Sequence, residues 1–288
     1  MYYSLNQDEL RIIAKNAIEN FELWARRFID IKLIEKYGKK WNGYVEDGKP
    51  LINKKLNARI KEMLQREPLR FSRAIDTLFI EDIISLLCRN DLYNDNFKDA
   101  LKNAYPQGNE EAREFLMRLV PIRNKLNHAW HISVRESEKA ICYANDFIDC
   151  LKEYYVKEGC EKVYNVPLIV RIADSCGNEF MDSQISRNST GRGHCSPNGS
   201  LGVITAGESF SIEANVDPSF EKSTYSISWL YNNQWIDGNK LTIILSENDI
   251  RMDFTLYCRV ISNQHTWHRC GDVDDCVSIT YKVVPPVQ

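Results

Sequence analysis

The sequence predicts a multidomain protein of the α and β class, an all-α helical bundle over residues 1–160 followed by an all-β sandwich over residues 161–288. Three observations predict it. Apolar residues recur at three- and four-residue steps as far as Tyr154, the spacing of one helix face. After Gly159 the period drops to two, as in half-buried strands. The 288 residues suffice for two domains, each with its own core.

The first helix follows the capping-box pattern Ser4-Leu-Asn-Gln7 and carries Leu10, Ile13, Ala17, Phe21, Trp24, Phe28 and Ile31 inward before stopping near Gly38. Glu22, Arg26, Arg27 and Asp30 fall on its other face, expected to be solvated. Gly43, Asp47 and Gly48 mark a turn between Lys39 and Pro50. A second helix is expected around Asn53 to Gln65, and a third from Pro68, with Phe71, Ile75, Leu78, Phe79, Ile83, Leu86 and Leu87 as its stripe. Lys54, Lys55, Arg59, Lys61, Arg66, Arg70 and Arg73 make this the most basic stretch; such a face is ordinarily just solvated. A short helix is read from Asp91 to Tyr105, and the next is capped by Asn109. Pro121 cannot donate to the carbonyl of Met117, so that helix should kink. Ser133-Val-Arg-Glu136 is a capping box for a last helix, Val134 to about Lys157, ended by Gly159.

The chemistry-bearing stretch is Pro121-Ile-Arg-Asn-Lys-Leu-Asn-His-Ala-Trp-His131, an Arg-x4-His hexad with Asn124 after the arginine and Trp130 just past the histidine. Arginine five places before histidine is common enough by chance that its helical context matters. Asn124 and His128 are i,i+4 neighbours, whereas Arg123 lies about 140° around the helix from His128. Either the long arginine folds round or a second copy completes the site across a two-fold axis. Histidine can transfer protons near neutrality, and arginine offers a charged fork for phosphate oxygens. These residues resemble the signature of the HEPN superfamily, helical bundles of which many are metal-independent RNA endonucleases. The resemblance covers roughly residues 1–160. It implies a homodimer with a composite cleft that cuts RNA to 2′,3′-cyclic phosphate ends. Arg123, Asn124 and His128 would be catalytic, and Lys125, Asn127 and His131 would contact RNA, with no cofactor and no metal. Its other implied role is a non-catalytic adaptor or ligand-binding bundle.

In the second half, strands are expected at Val166 to Ile172, Ser209 to Val216, Thr224 to Tyr231, Gln234 to Ile236, Lys240 to Leu245, Asp253 to Ser262 and Asp275 to Val284. The Gly/Ser/Asn-rich stretch 175–200 is expected to be a long loop. This pattern resembles an immunoglobulin-like sandwich, with Trp229 on a middle strand and Cys258 on a late one. Ile212 and Ala214 stand where a partner cysteine would be, so the inter-sheet disulfide of that fold is not expected. Phe210 to Val216 and Tyr225 to Asn233 also resemble β-rich sensor modules of bacterial second-messenger enzymes, implying an activating ligand or protein at the sandwich. Cys176, His194, Cys195, His265, His268, Cys270 and Cys276 cluster in this half. Neither Cys270-x5-Cys276 nor His265-x2-His268 has partners at zinc-finger spacing, so ordinary thiols and loop histidines are expected.

The formal net charge of −3 argues against a protein that coats nucleic acid, and any RNA contact must be a local patch. Nine cysteines, an odd number, suit a reducing compartment, and no signal peptide or membrane span is read. A cytoplasmic location is therefore expected.

Overall fold

Helix α1 (Gln7–Tyr37) buries Leu10, Ala14, Ile18, Phe21, Trp24, Phe28 and Leu33 along one stripe and is the spine of the first unit. The computed structural model describes residues 5–68, 70–71, 73–188, 190–197 and 202–286, and these divide into two compact units, Met1–Gly159 and Cys160–Gln288. The expected box at Ser4 lies outside the described residues; α1 is instead capped by Asn6, which accepts the Glu9 N–H while Glu9 accepts the Asn6 N–H. Gly38 ends the helix at φ 80°, a left-handed conformation glycine adopts without a Cβ penalty. The turn that follows closes a two-residue hairpin, β1 (Val45–Glu46) with β2 (Lys49–Pro50). Asp47 and Gly48 both take positive φ at its tip.

Helix α2 (Lys54–Arg66) starts at the Asn53 cap as expected. The helix expected from Pro68 does not form there. The chain instead makes a 3-10 turn over Ala74–Thr77, runs extended through Leu78 and Phe79, and enters α3 (Ile80–Leu87). Two contacts account for the difference: Arg26 of α1 donates to the Leu78 carbonyl at 2.8 Å, and Asp82 accepts the Phe79 N–H at 2.9 Å. The basic stretch is largely neutralised, with Arg59 on Asp82, Arg66 and Arg70 on Glu67, and Arg73 on Asp30 and Asp76. Nor is the polar face of α1 solvated. Asp30 is buried, accepts the Trp41 indole N–H at 3.0 Å, and has its carboxyl pushed above the usual range by burial, an effect Trp41 and Arg73 only partly offset.

A helical stretch follows as α4 (Asn90–Leu92), a π turn (Tyr93–Phe97) and α5 (Lys98–Leu101). Then come α6 (Asn109–Met117), α7 (Leu119–Asn127) and α8 (Val134–Lys157). Gly108, not Asn109, holds the cap position of α6; the Asn109 amide bonds the Cys88 carbonyl. The break between α6 and α7 falls at Arg118, three residues ahead of Pro121, whose missing N–H leaves the Met117 carbonyl without its helical donor. Helix α8 lies parallel to α1, with Phe21 edge-on to Phe147 at 5.0 Å and Trp24 beside Tyr155 at 6.3 Å. No helix among the described residues is long and apolar enough to cross a membrane.

The second unit opens with a short helix, α9 (Glu161–Tyr164), and is otherwise β. One sheet runs β11 (Lys240–Ile244), β8 (Ser209–Val216), β3 (Ile169–Asp174), β4 (Glu179–Met181). The other runs β10 (Gln234–Asp237), β9 (Tyr225–Tyr231), β12 (Arg251–Ser262), β13 (Asp275–Val284), β6 (Gly193–Cys195), β5 (Ser186–Arg187). Strand β7 (Gly202–Thr205) pairs parallel to β13 beyond β6. Inward residues of both sheets share one core, among them Ile172, Phe210, Ile212, Trp229, Leu241, Leu256, Cys258 and Ile279. Trp229 and Cys258 are register partners on β9 and β12, and both are fully buried.

The stretch expected as a long loop, 175–200, contains β4, β5 and β6 instead. Close approach explains β6: a Cβ on Gly193 would stand 2.8 Å from Ile185 and 3.0 Å from Val277. Arg187 on β5 is tied to the fully buried Asp275 at 2.8 Å and to Asp182 at 3.0 Å. Asp275 also accepts the Ile169 N–H at 2.8 Å, joining the two sheets through one carboxylate. Removing it would leave a buried guanidinium short of a partner. Asp275→Ala should therefore lower stability by about 3–5 kcal/mol, read by urea unfolding of the β unit; a loss below about 1 kcal/mol would show that Asp182 suffices for Arg187.

Candidate functional site

Helix α7 is anchored by buried Leu119 and Ile122, which turn Asn124 and Asn127 to solvent. Its C-terminus is closed by a Schellman motif: the Trp130 N–H bonds the Lys125 carbonyl at 2.9 Å and the Ala129 N–H bonds the Leu126 carbonyl at 3.2 Å. This places Ala129 at φ 56°, where its Cβ crowds the backbone. The first turns of α1 hold the same segment. Arg11 donates to the carbonyls of Trp130 at 2.6 Å and Leu126 at 3.0 Å, and Gln7 bonds both the N–H and the carbonyl of Ile132. Ser133 and Glu136 form the expected capping box of α8, and Lys125 of α7 donates to Glu136 at 2.6 Å.

His128 is the C-cap residue of α7, exposed, with its ring 5.3 Å from that of Trp130 and tilted 31° to it. Trp130 is 61% exposed. Asn124, Asn127 and His131 are exposed beside them in sequence. Arg123 leaves the helix on another side, toward Glu22 of α1 at 3.9 Å; Glu22 also holds Arg26 at 2.7 Å. Among the described residues no hydrogen bond or ion pair joins Arg123 to His128 within one chain. Lys125, expected to meet RNA, is committed to Glu136. The structure thus gathers His128, Trp130, Asn127 and His131 at one helix end and directs Arg123 to the flank.

Sequence reasoning missed Arg11 and Gln7, which position the segment, and treated Glu22 as solvated. No local signal marks them, since Arg11 bonds residues 115 and 119 positions away.

Compared with known proteins, the chain matches no family model, no curated protein and no solved structure.

Burial works against the charge on Glu136, but the bonds from Lys125 and Ser133 outweigh it and hold the carboxyl below its ordinary value of 4.5. The depressed pKa means that this stabilisation is present above pH 4.5 and is lost as pH falls through the lower folded value. Ser133→Ala should cost about 1 kcal/mol of stability at neutral pH. The difference from wild type should narrow on acidification below that window, as followed by thermal unfolding. Ala129→Gly should raise stability by about 0.5–1 kcal/mol, because relief of the left-handed strain exceeds the added entropy of the unfolded glycine; a destabilised glycine variant would mean that the positive φ carries no strain.

Proposed function

We propose that the helical unit is a HEPN-type, metal-independent RNA endonuclease acting as a homodimer in the cytoplasm, with the β unit as its sensor or recognition domain. The observation that carries the reading is an imidazole left open to solvent on a helix end fixed from three sides, next to an exposed indole. A histidine retained for packing would be enclosed. Trp130 offers a flat face on which an unpaired base can stack.

In this reading the substrate's 2′-OH gives up its proton and bonds to the adjacent phosphorus while the P–O5′ bond breaks, leaving a 2′,3′-cyclic phosphate on one fragment and a 5′-oxygen that takes up a proton on the other. His128 moves the proton on or off the reacting oxygens, Arg123 balances the charge on the phosphorane, and Asn124 orients the nucleophile or the imidazole. Asn127 and His131 meet the strand, while Lys125 holds the helix end through Glu136. Arg123 of one copy would serve His128 of the other across the two-fold axis. Buried Trp229 opposite buried Cys258, and β7 running parallel to β13, support the immunoglobulin-like reading of the β unit. Self-limiting RNA cleavage of this type suits a toxin or anti-phage effector.

One observation favours the adaptor reading. Within a chain Arg123 already faces a carboxylate, Glu22, as a purely structural arginine would.

Purified protein incubated with total RNA and a tRNA pool in EDTA should leave 2′,3′-cyclic phosphate ends and spare DNA. His128→Ala and Arg123→Ala should each lower the cleavage rate by about 10²–10⁴-fold with unchanged circular dichroism. Full activity in both variants would end the nuclease assignment, and a dimer without any cleavage would establish the adaptor.

A further inference from the structure

The segment joining β12 to β13 folds back on itself and brings three metal-ligating side chains together. His265, His268 and Asp274 each offer one donor atom, and these atoms all lie within 4.8 Å of one another. Asp274 is fully buried. Its Oδ2 accepts the Ser262 N–H at 2.7 Å and stands 3.2 Å from His268 Nδ1. Its Oδ1 is buried with no hydrogen-bond partner. The Ser262 N–H and the His268 ring account for one carboxylate oxygen and leave the other orphaned, a cost that buried polar atoms rarely carry.

The surroundings prepare the histidines as ligands. His265 Nδ1 donates to the Trp267 carbonyl, which leaves the lone pair on Nε2, and the ring lies flat on the Trp267 indole at 3.6 Å. A backbone acceptor behind one ring nitrogen is the usual means of aiming the other at a metal. Two ligands on a tetrahedral zinc, each at roughly 2.0–2.1 Å, stand about 3.3 Å apart, close to the 3.2 Å between His268 Nδ1 and Asp274 Oδ2. The backbone is held independently: Asp274 N–H bonds the Val260 carbonyl at 2.9 Å, Cys270 N–H bonds the Val273 carbonyl at 2.7 Å, and Arg269 bonds the Gly191 carbonyl at 3.0 Å.

We propose that His265, His268 and Asp274 bind one divalent transition-metal ion, zinc being the best chemical match, which staples the 263–274 segment to the end of β12. Two imidazoles and one carboxylate select zinc-like ions over calcium or magnesium, which take oxygen ligands. The carboxylate explains why a search for cysteine and histidine pairs at finger spacing does not find the site. The inference concerns the β unit alone and stands apart from catalysis in the helical unit.

The full chain, stripped with chelator and desalted, should take up about one zinc per molecule from zinc chloride alone and unfold at a higher temperature. His265→Gln and His268→Gln should each weaken zinc binding by about tenfold or more with unchanged circular dichroism, whereas Cys270→Ser and Cys276→Ser should retain it. Cobalt in place of zinc in the unaltered chain should give visible d–d bands without the charge-transfer band of a thiolate, a readout that does not depend on any variant folding. No uptake above background, uptake unaffected by both histidine substitutions, or a thiolate band would each overturn the proposal.

Discussion

The candidate site depends on the bond pair from the Arg11 guanidinium to the carbonyls of Leu126 and Trp130. A helix C-terminus leaves carbonyls without donors, and a helix that also stops on a non-glycine residue at positive φ needs outside support. Arg11 supplies it from the first turns of α1, and the same helix, three turns further on, faces Arg123 with Glu22. The apolar stripe of α1 that packs against α8 therefore also sets the position of α7. A substitution that shifted α1 along its axis would disturb the His128 segment and the Arg123 pair together.

In the β unit the comparable constraint is a pair of adjacent buried carboxylates at the start of β13. Successive residues of a strand face opposite sides, and Asp274 and Asp275 do so to different ends. Asp275 faces Arg187 and the Ile169 N–H, and Asp274 faces His268 and the Ser262 N–H. Burial opposes the charge on Arg187, yet Asp275 and Asp182 outweigh it and keep the guanidinium protonated. The nine cysteines are all free thiols, so the sandwich is closed by its apolar core and this charge network. Cys258 acts as a packing residue there, its thiol pushed well above its ordinary range by complete burial.

What was legible in the sequence was local. The Ser133-Glu136 box and the apolar spacing behind it mark α8, and alternation marks β8 and β12, because each signal lies within the element it defines. What was not legible comes from distant partners. The helix expected from Pro68 yields to Arg26 bonding a carbonyl 52 residues away. The short strands β5 and β6 look like loop because two or three residues carry no period, and they exist through Gly193 closing onto Val277 and Arg187 reaching Asp275. At the site, the hexad and its helix end could be read, but the partners Arg11, Gln7 and Glu22 could not. The commitment of Lys125 to Glu136 could have been suspected, since Glu136 is the acidic member of the capping box that opens just beyond α7.

Glu22 faces two guanidinium groups, the closer being Arg26 at 2.7 Å and the looser Arg123 at 3.9 Å. One carboxylate offsets one cation, so the trio keeps a surplus positive charge, and Arg123, 29% exposed, is the member with the weaker hold. Such an arginine is oriented without being used up. A phosphate arriving at this flank would meet a guanidinium already aimed by α1, at little cost in side-chain freedom. The same geometry explains why Arg123 faces Glu22 and not its own His128: the two side chains leave different sides of α7, about 140° apart on the helical wheel.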